Sequence, residues 1–272
     1  KKAKDGELEP YKRFIPALST DNQFISQHYI SNLNRLDTIS KKRLLYGEWE
    51  YADDLAIFDY DSIIQMFVNP ENDPEEYIDK PSNPKELWIT IDVARLGKDK
   101  TCIMLWEGFN IVSVKELSKK TLDVQRDIIQ GMMNEFNITN KQLIIDTDGV
   151  GGGLADMFKG CVQIVNNSTP INKENYQNLK TQMYYKLANM VNNGDINILN
   201  ISDDMRNRLT QELQVIKREG IDLDGKIKMT DKSQIKNMIG RSPDISDAMA
   251  FRMHPELKPK GETDFSFNFI NL

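Results

Sequence analysis

The clearest hydrophobic pattern in the chain runs from residue 87 to residue 146. Leu87-Trp-Ile-Thr-Ile-Asp92 is a short, nearly continuous apolar run closed by a carboxylate, the pattern of a buried strand. Thr101–Glu107 and Asn110–Leu117 follow, separated only by Gly108-Phe109, which predicts an antiparallel meander. Over 121–136 the period changes to helical, with Val124, Ile128, Ile129, Met132, Met133 and Phe136 along one side. Gln142-Leu-Ile-Ile-Asp146 is a second short apolar strand that ends in a carboxylate. Helices are expected from Gly151 to Phe158, from Tyr176 to Asn193 before Gly194, and from about Asp244 to Met253 before Pro255. Leu213–Lys217 and Lys226–Met229 are expected to pair as a hairpin across Asp224-Gly225.

Upstream the pattern differs. Phe24, Ile25, Tyr29, Ile30 and Leu33 have helical spacing within Gln23–Leu33, and Ser40–Tyr46 reads as a second short helix stopped by Gly47. Asn69-Pro-Glu-Asn-Asp-Pro-Glu-Glu and Lys80-Pro-Ser-Asn-Pro cannot pack as regular structure and read as a linker. The expected organisation is a small helical appendage over 1–68, a Pro-rich linker over 69–86 and one α/β domain over 87–272. That domain is expected to have a mixed sheet with helices on both faces. There is no internal repeat and no heptad pattern.

The 272 residues suffice for one large domain with a buried core. Hydrophobic residues at 39%, charged residues at 28% and a mean hydropathy of -0.53 are ordinary for a globular protein, and no apolar run approaches membrane-spanning length. The opening Lys1-Lys-Ala-Lys has no apolar stretch of the signal-peptide kind, and the missing initiator Met suggests a fragment or a trimmed chain. Cys102 and Cys161 cannot form a disulfide framework, which fits a reducing interior; with only His28 and His254 beside them, a Cys/His zinc site is poorly supplied. The net charge of -6 does not exclude a nucleic-acid partner, because residues 1–85 carry 11 Lys+Arg against 16 Asp+Glu and residues 86–272 carry 24 against 25.

The chemistry lies in acids at element ends. Asp92 and Asp146 close two strands, Asp148 lies just beyond, and Asp244 and Asp247 share one face of the last helix. Carboxylates about 4 Å apart repel by about 4 kcal/mol per pair at an effective dielectric of 20, so protons or cations must neutralise them. Oxygen-only ligation suits Mg2+ or Mn2+, and two such ions would activate a water and stabilise a leaving oxygen on a phosphodiester. The plainer alternative is that these Asp residues only cap their elements. Gly149-Val-Gly-Gly-Gly153 fits neither G-x-G-x-x-G nor a P-loop and is read as room for a helix to start close against the sheet.

Three motifs, in this order, resemble the nuclease domain of the large terminase subunit of tailed bacteriophages and prophages. They are Ile91-Asp-Val-Ala-Arg-Leu-Gly-Lys-Asp-Lys-Thr101, Ile145-Asp-Thr-Asp-Gly-Val-Gly-Gly-Gly-Leu154 and Gly240-Arg-Ser-Pro-Asp-Ile-Ser-Asp-Ala-Met249. Asn178-Leu-Lys-Thr-Gln-Met183 resembles the helix after the family's second acidic strand, and Ile15–Asn22 with Leu44–Trp49 resembles the end of its ATPase domain.

The resemblance implies an RNase H-like (RuvC-like) fold that cuts concatemeric double-stranded DNA during genome packaging, using two Mg2+ or Mn2+ ions in the cytoplasm of a bacterial host. It implies metal ligands at Asp92, Asp146 and Asp247, a further one at Asp244, a neighbouring position that is acidic or His in relatives, and assistance from Asp148 and Asp99. Arg95, Lys98, Lys100, Lys232, Lys236 and Arg241 are the candidates for DNA phosphate contacts. In the full-length protein, a portal ring and a small terminase subunit are the implied partners. The family's ATPase motifs are missing from this chain, so no ATP hydrolysis is expected of it. Alternatives are a non-enzymatic DNA- or portal-docking module, an actin- or sugar-kinase-like ATP-binding domain (against which Ala94 stands where that loop needs Gly), and a Holliday-junction resolvase.

Overall fold

The computed structural model describes residues 55–68, 87–94, 99–199, 201–220 and 225–258, together with Phe24, Ser26 and Tyr29. The chain divides after Asp54 into two compact units, of which the second carries nearly all the described residues. The helices expected at Gln23–Leu33 and Ser40–Tyr46, the linker over 69–86 and His28 lie outside the described residues.

The second unit is built on a seven-stranded mixed sheet. In chain order the strands are β1 (Phe67–Val68), β2 (Leu87–Asp92), β3 (Thr101–Glu107), β4 (Asn110–Leu117), β5 (Leu143–Asp146), β6 (Val162–Ile164) and β7 (Asn197–Leu199). Their order across the sheet is β1-β7-β4-β3-β2-β5-β6. The central β2-β3-β4 meander is antiparallel, as its two-residue connection at Gly108-Phe109 dictates, and every other pairing is parallel. Because β1 joins this sheet, residues expected to belong to the appendage over 1–68 are part of the α/β fold.

Alternation along the strands serves two cores. Ile89, Ile91, Ile103, Leu105, Leu143 and Ile145 point to one face, where α2 (Leu122–Phe136) and α3 (Gly151–Ala155) pack through Ile129, Met132, Met133 and Leu154. Trp88, Cys102, Met104, Trp106 and Ile144 point to the other face. It is covered by α1 (Tyr60–Gln65), α4 (Leu179–Asn192), α5 (Asp203–Gln214) and α7 (Asp244–Phe251). Helices therefore do cover both faces, as the sequence pattern predicts. Burial on both faces explains why these strands read as continuous apolar runs.

Several boundaries shift for identifiable reasons. On α2, Val124 and Phe136 are exposed flank residues, and the buried place next to the sheet belongs to Gln125, whose amide donates to the Ala94 carbonyl at 2.8 Å. α4 starts at Leu179 rather than Tyr176 because the Asn178 side chain caps it, accepting from the Thr181 N–H at 2.9 Å. α3 ends at Ala155, short of Phe158.

The expected strand Leu213–Lys217 does not form. Leu213 belongs to α5, which Ser202 caps and whose Leu209 and Leu213 are spaced one turn apart on its buried side. The hairpin is shorter and later, pairing β8 (Arg218–Glu219) with β9 (Lys228–Met229). α6 (Lys232–Ile239), unanticipated, begins with a reciprocal cap between Asp231 and Gln234 and stops at Gly240, whose φ of +75° suits glycine.

His254 opens α8 (His254–Leu257), and its Nδ1 has no hydrogen-bond partner among the described residues. Burial pulls its pKa from 6.5 down to about 4. A depressed base contributes stability above its unfolded pKa and loses it as pH falls toward the folded one. Acidification from pH 6.5 to 4 should therefore cost on the order of 3 kcal/mol through this group. Urea midpoints of wild type and His254→Gln between pH 7 and 4.5 check this, and the wild type should lose more stability on acidification. The comparison isolates His254 from buried carboxyls, whose raised values act in the opposite sense.

Candidate metal centre

β2 and β5 are parallel neighbours with Ile91 opposite Ile145, so Asp92 and Asp146 leave the sheet side by side. That register sets their backbones about 4.8 Å apart. Both are more than nine-tenths buried, at 6% and 8% exposed. The α7 helix packs across β2 and β3 on the same face and brings Asp244 and Asp247 to this edge. Asp92, Asp146 and Asp244, with Asp99 and Asp148, line a cleft of about 620 Å3.

The Asp92 carboxyl is pushed well above its ordinary range, first by burial and then by the neighbouring charge of Asp247; Asp244 and Asp146 add to this, and Lys232 opposes it. Burial also lifts Asp146 to about 6, although its Oδ1 accepts the Asp148 N–H at 2.9 Å. Asp244 is raised by burial and partly relieved by the Lys100 N–H, which donates to its Oδ2 at 3.1 Å.

Asp247 behaves differently. Burial would raise it, but Lys180 Nζ at 2.6 Å and Lys232 Nζ at 3.2 Å hold it below the ordinary range, and the Tyr184 hydroxyl donates to it at 2.7 Å. Cations do neutralise part of the cluster, and at Asp247 they are lysine ammonium groups.

The donor set is all oxygen, anionic and concentrated in a cleft, which fits a hard divalent cation completed by water. The side chains as they stand are not closed around one. Among the described residues, no three His, Cys, Asp or Glu side chains group tightly enough to hold a single ion. Burial is the first cause of the raised Asp92, and the charges of Asp247, Asp244 and Asp146 add to it without the acids closing on one point.

The other expected site residues fall into four groups. Asp148 Oδ2 accepts the Asn166 N–H at 3.0 Å, and Asp99 lies 3.5 Å from Lys236 Nζ, so both belong to the rim of the cleft. Lys232 and Lys236 stand beside the acids. Lys100 and Arg241 also have partners within the fold. Lys100 Nζ is 2.9 Å from Glu116, and Arg241 donates to the Arg208 carbonyl at 2.8 Å and lies 3.4 Å from Glu212. Arg95 and Lys98 lie outside the described residues.

Lys180, Tyr184 and Glu212 are the site residues that the sequence pattern does not expose. Lys180 sits inside the family-like stretch Asn178–Met183, and Tyr184, one helical turn on along α4, lies just past it. Glu212 is 1% exposed, is lifted by burial to about 8 and lies on the unanticipated α5.

No family model matches the sequence, and no curated protein matches it significantly. Solved structures do. The nuclease domain of the large terminase subunit gp2 of bacterial virus Sf6 is 19% identical, with 74% of this chain and 99% of that chain covered and a TM-score of 0.58. A point mutant from the same large subunit, solved with calcium, gives a TM-score of 0.60 at 19% identity over the same shares. A mutant of that nuclease domain with manganese gives 0.58 at 18% identity, again over 74% and 99%. The chain therefore has the RNase H-like fold of phage terminase nuclease domains, which is the fold that the motif resemblance implies.

The glycine run after β5 matters to this site. A Cβ on Gly151 would lie 1.7 Å from the Asp146 carbonyl oxygen, whereas one on Gly152 would make only an ordinary contact at 3.6 Å with the Thr147 carbonyl. Gly151 lets α3 start directly against the strand that carries Asp146. Gly151→Ala should lower stability by about 2 kcal/mol, and Gly152→Ala should remain within about 0.5 kcal/mol of wild type, as urea unfolding midpoints will show.

Proposed function

We propose that this chain is a divalent-metal-dependent DNA endonuclease of the genome-packaging kind, which hydrolyses phosphodiesters of concatemeric double-stranded viral DNA. The observation that carries the reading is the convergence of Asp92, Asp146, Asp244 and Asp247 from three separate segments on one edge of an RNase H-like sheet. Asp92 and Asp146 would hold the metal, with Asp247 and Asp244 completing the anionic set and Asp148 and Asp99 assisting from the rim. Bound Mg2+ or Mn2+, in a pair, would activate the attacking water and stabilise the leaving 3′ oxygen. The protein's own share is to keep the carboxylates rigid, through strand ends and a buried helix, and to keep Asp247 ionised through Lys180 and Lys232. Lys232 and Lys236 would draw the DNA backbone toward the acids without reading its sequence.

Assembly with a portal ring and a small terminase subunit, action in the bacterial cytoplasm and lack of ATPase activity in this chain complete the proposal. They rest on the motif resemblance and the shared fold. No helix among the described residues is long and apolar enough to cross a membrane.

Supercoiled plasmid incubated with Mn2+ tests the reading. Wild type should nick and linearise it, and EDTA should abolish cutting. Asp92→Ala and Asp146→Ala should each lose more than about a hundredfold, beyond what partners outside the ligand set command. Equal cutting by wild type and both variants, or cutting by none under Mg2+ and Mn2+, contradicts the proposal. Thermal stabilisation by millimolar ATP without DNA cleavage would favour the ATP-binding alternative.

A further inference from the structure

The first turn of α7, which carries both Asp244 and Asp247, has no cap of its own. Pro243 occupies the N-cap position, and no side chain in the helix's own segment accepts its free N–H groups. Such groups need partners, most of all in a helix buried along its length. The Ser246 N–H finds one on another helix, donating to Glu212 Oε2 of α5 at 2.8 Å. The other oxygen, Oε1, faces the Arg241 guanidinium at 3.4 Å, and that guanidinium is itself anchored on the Arg208 carbonyl at 2.8 Å.

One turn earlier on α5, the Arg208 side chain makes two bonds of 2.7 and 2.6 Å to Glu116 of β4. Lys100 Nζ joins the same carboxylate at 2.9 Å, and the backbone N–H of Lys100 donates to Asp244 Oδ2 at 3.1 Å. Helix α5 thus holds the acidic turn of α7 directly at the Ser246 backbone and, through Glu116 and Lys100, indirectly at the Asp244 side chain. Stability alone does not account for this arrangement. A Ser or Asp at the N-cap would satisfy the same N–H in the ordinary way, without burying a carboxylate.

We infer that Glu212 and Arg208 are positioning residues that set where Asp244 and Asp247 stand relative to Asp92 and Asp146. The inference rests on the metal-dependent reading above and adds to it the means by which the last two acids are aimed.

The test uses the whole chain, its Glu212→Leu, Glu212→Gln and Arg208→Met variants, and three readouts. These are amide hydrogen exchange over residues 244–247 without metal, Mn2+ affinity from the free-ion spin-resonance signal, and the split of plasmid cleavage into kcat and KM. Glu212→Leu should speed exchange at Ser246, weaken Mn2+ binding about tenfold to a hundredfold and lower kcat, with KM for DNA within about twofold. Glu212→Gln keeps an acceptor for Ser246 and should return Mn2+ affinity to within about threefold of wild type. Arg208→Met should weaken Mn2+ binding while leaving exchange at Ser246 unchanged.

A merely structural role would lower the melting temperature of these variants and leave the Mn2+ affinity of the folded protein alone; that result overturns the inference. Should Glu212→Leu fail to fold, wild-type Mn2+ affinity in Arg208→Met overturns it equally. A wild type that neither binds Mn2+ nor cuts DNA overturns the metal-dependent reading and this inference with it. Active wild type with unaffected variants overturns this inference alone.

Discussion

Burying several carboxyls at one edge of a sheet is costly unless protons or cations offset their charge, and the carboxyl edge of this sheet gathers Asp92, Asp146, Asp244 and Asp247. Asp92 and Asp146 are forced together by the parallel register of β2 and β5, and α7 brings two more acids to the same place. Burial first, and neighbouring acids after it, push Asp92, Asp146 and Asp244 above the ordinary carboxylate range. The exception is Asp247, where two lysines hold the charge in place.

Rigidity is what makes the concentration of charge tolerable. Asp92 and Asp146 are the last residues of central strands whose side chains are buried on both faces, so neither can swing away without breaking the sheet. Just beyond Asp92, the Ala94 N–H donates to Thr101 Oγ1 at 2.9 Å, and Gln125 donates to the Ala94 carbonyl. Just beyond Asp146, the close approach of Gly151 fixes the start of α3. All of Ile245–Phe251 is buried, so α7 is fixed by packing along its length and by α5 at its first turn. Each acid is thus mounted on an element whose movement would expose core.

The central meander was legible because strands buried on both faces read as continuous apolar runs, and because Gly108-Phe109 leaves no room for anything but a tight turn. Asp92 and Asp146 were legible for a related reason, since each stands where an apolar run stops. Elements with little apolar signal were not. β6 and β7 have three residues each, and α5 buries only Leu209, Glu212 and Leu213, so its periodicity is drowned by its polar faces. α6 buries Ile235 alone. That deficit hid Glu212, whereas Lys180 and Tyr184 lie on the anticipated α4; the roles of all three depend on which helices pack against α7, a long-range fact that local periodicity does not encode. Lys100 and Arg241, basic residues near acidic motifs, also link elements inside the fold, Lys100 joining β4 to α7 and Arg241 holding to α5.

The most direct measurement is anomalous diffraction from crystals of the chain soaked in Mn2+. The account predicts manganese at the carboxyl ends of β2 and β5, with oxygens of both Asp92 and Asp146 at about 2.2 Å and at least one acid of α7 in the coordination sphere or bound to it through water. Manganese absent from that edge while Asp92 and Asp146 remain in place, or ions bound only at unrelated surface carboxylates, would contradict it.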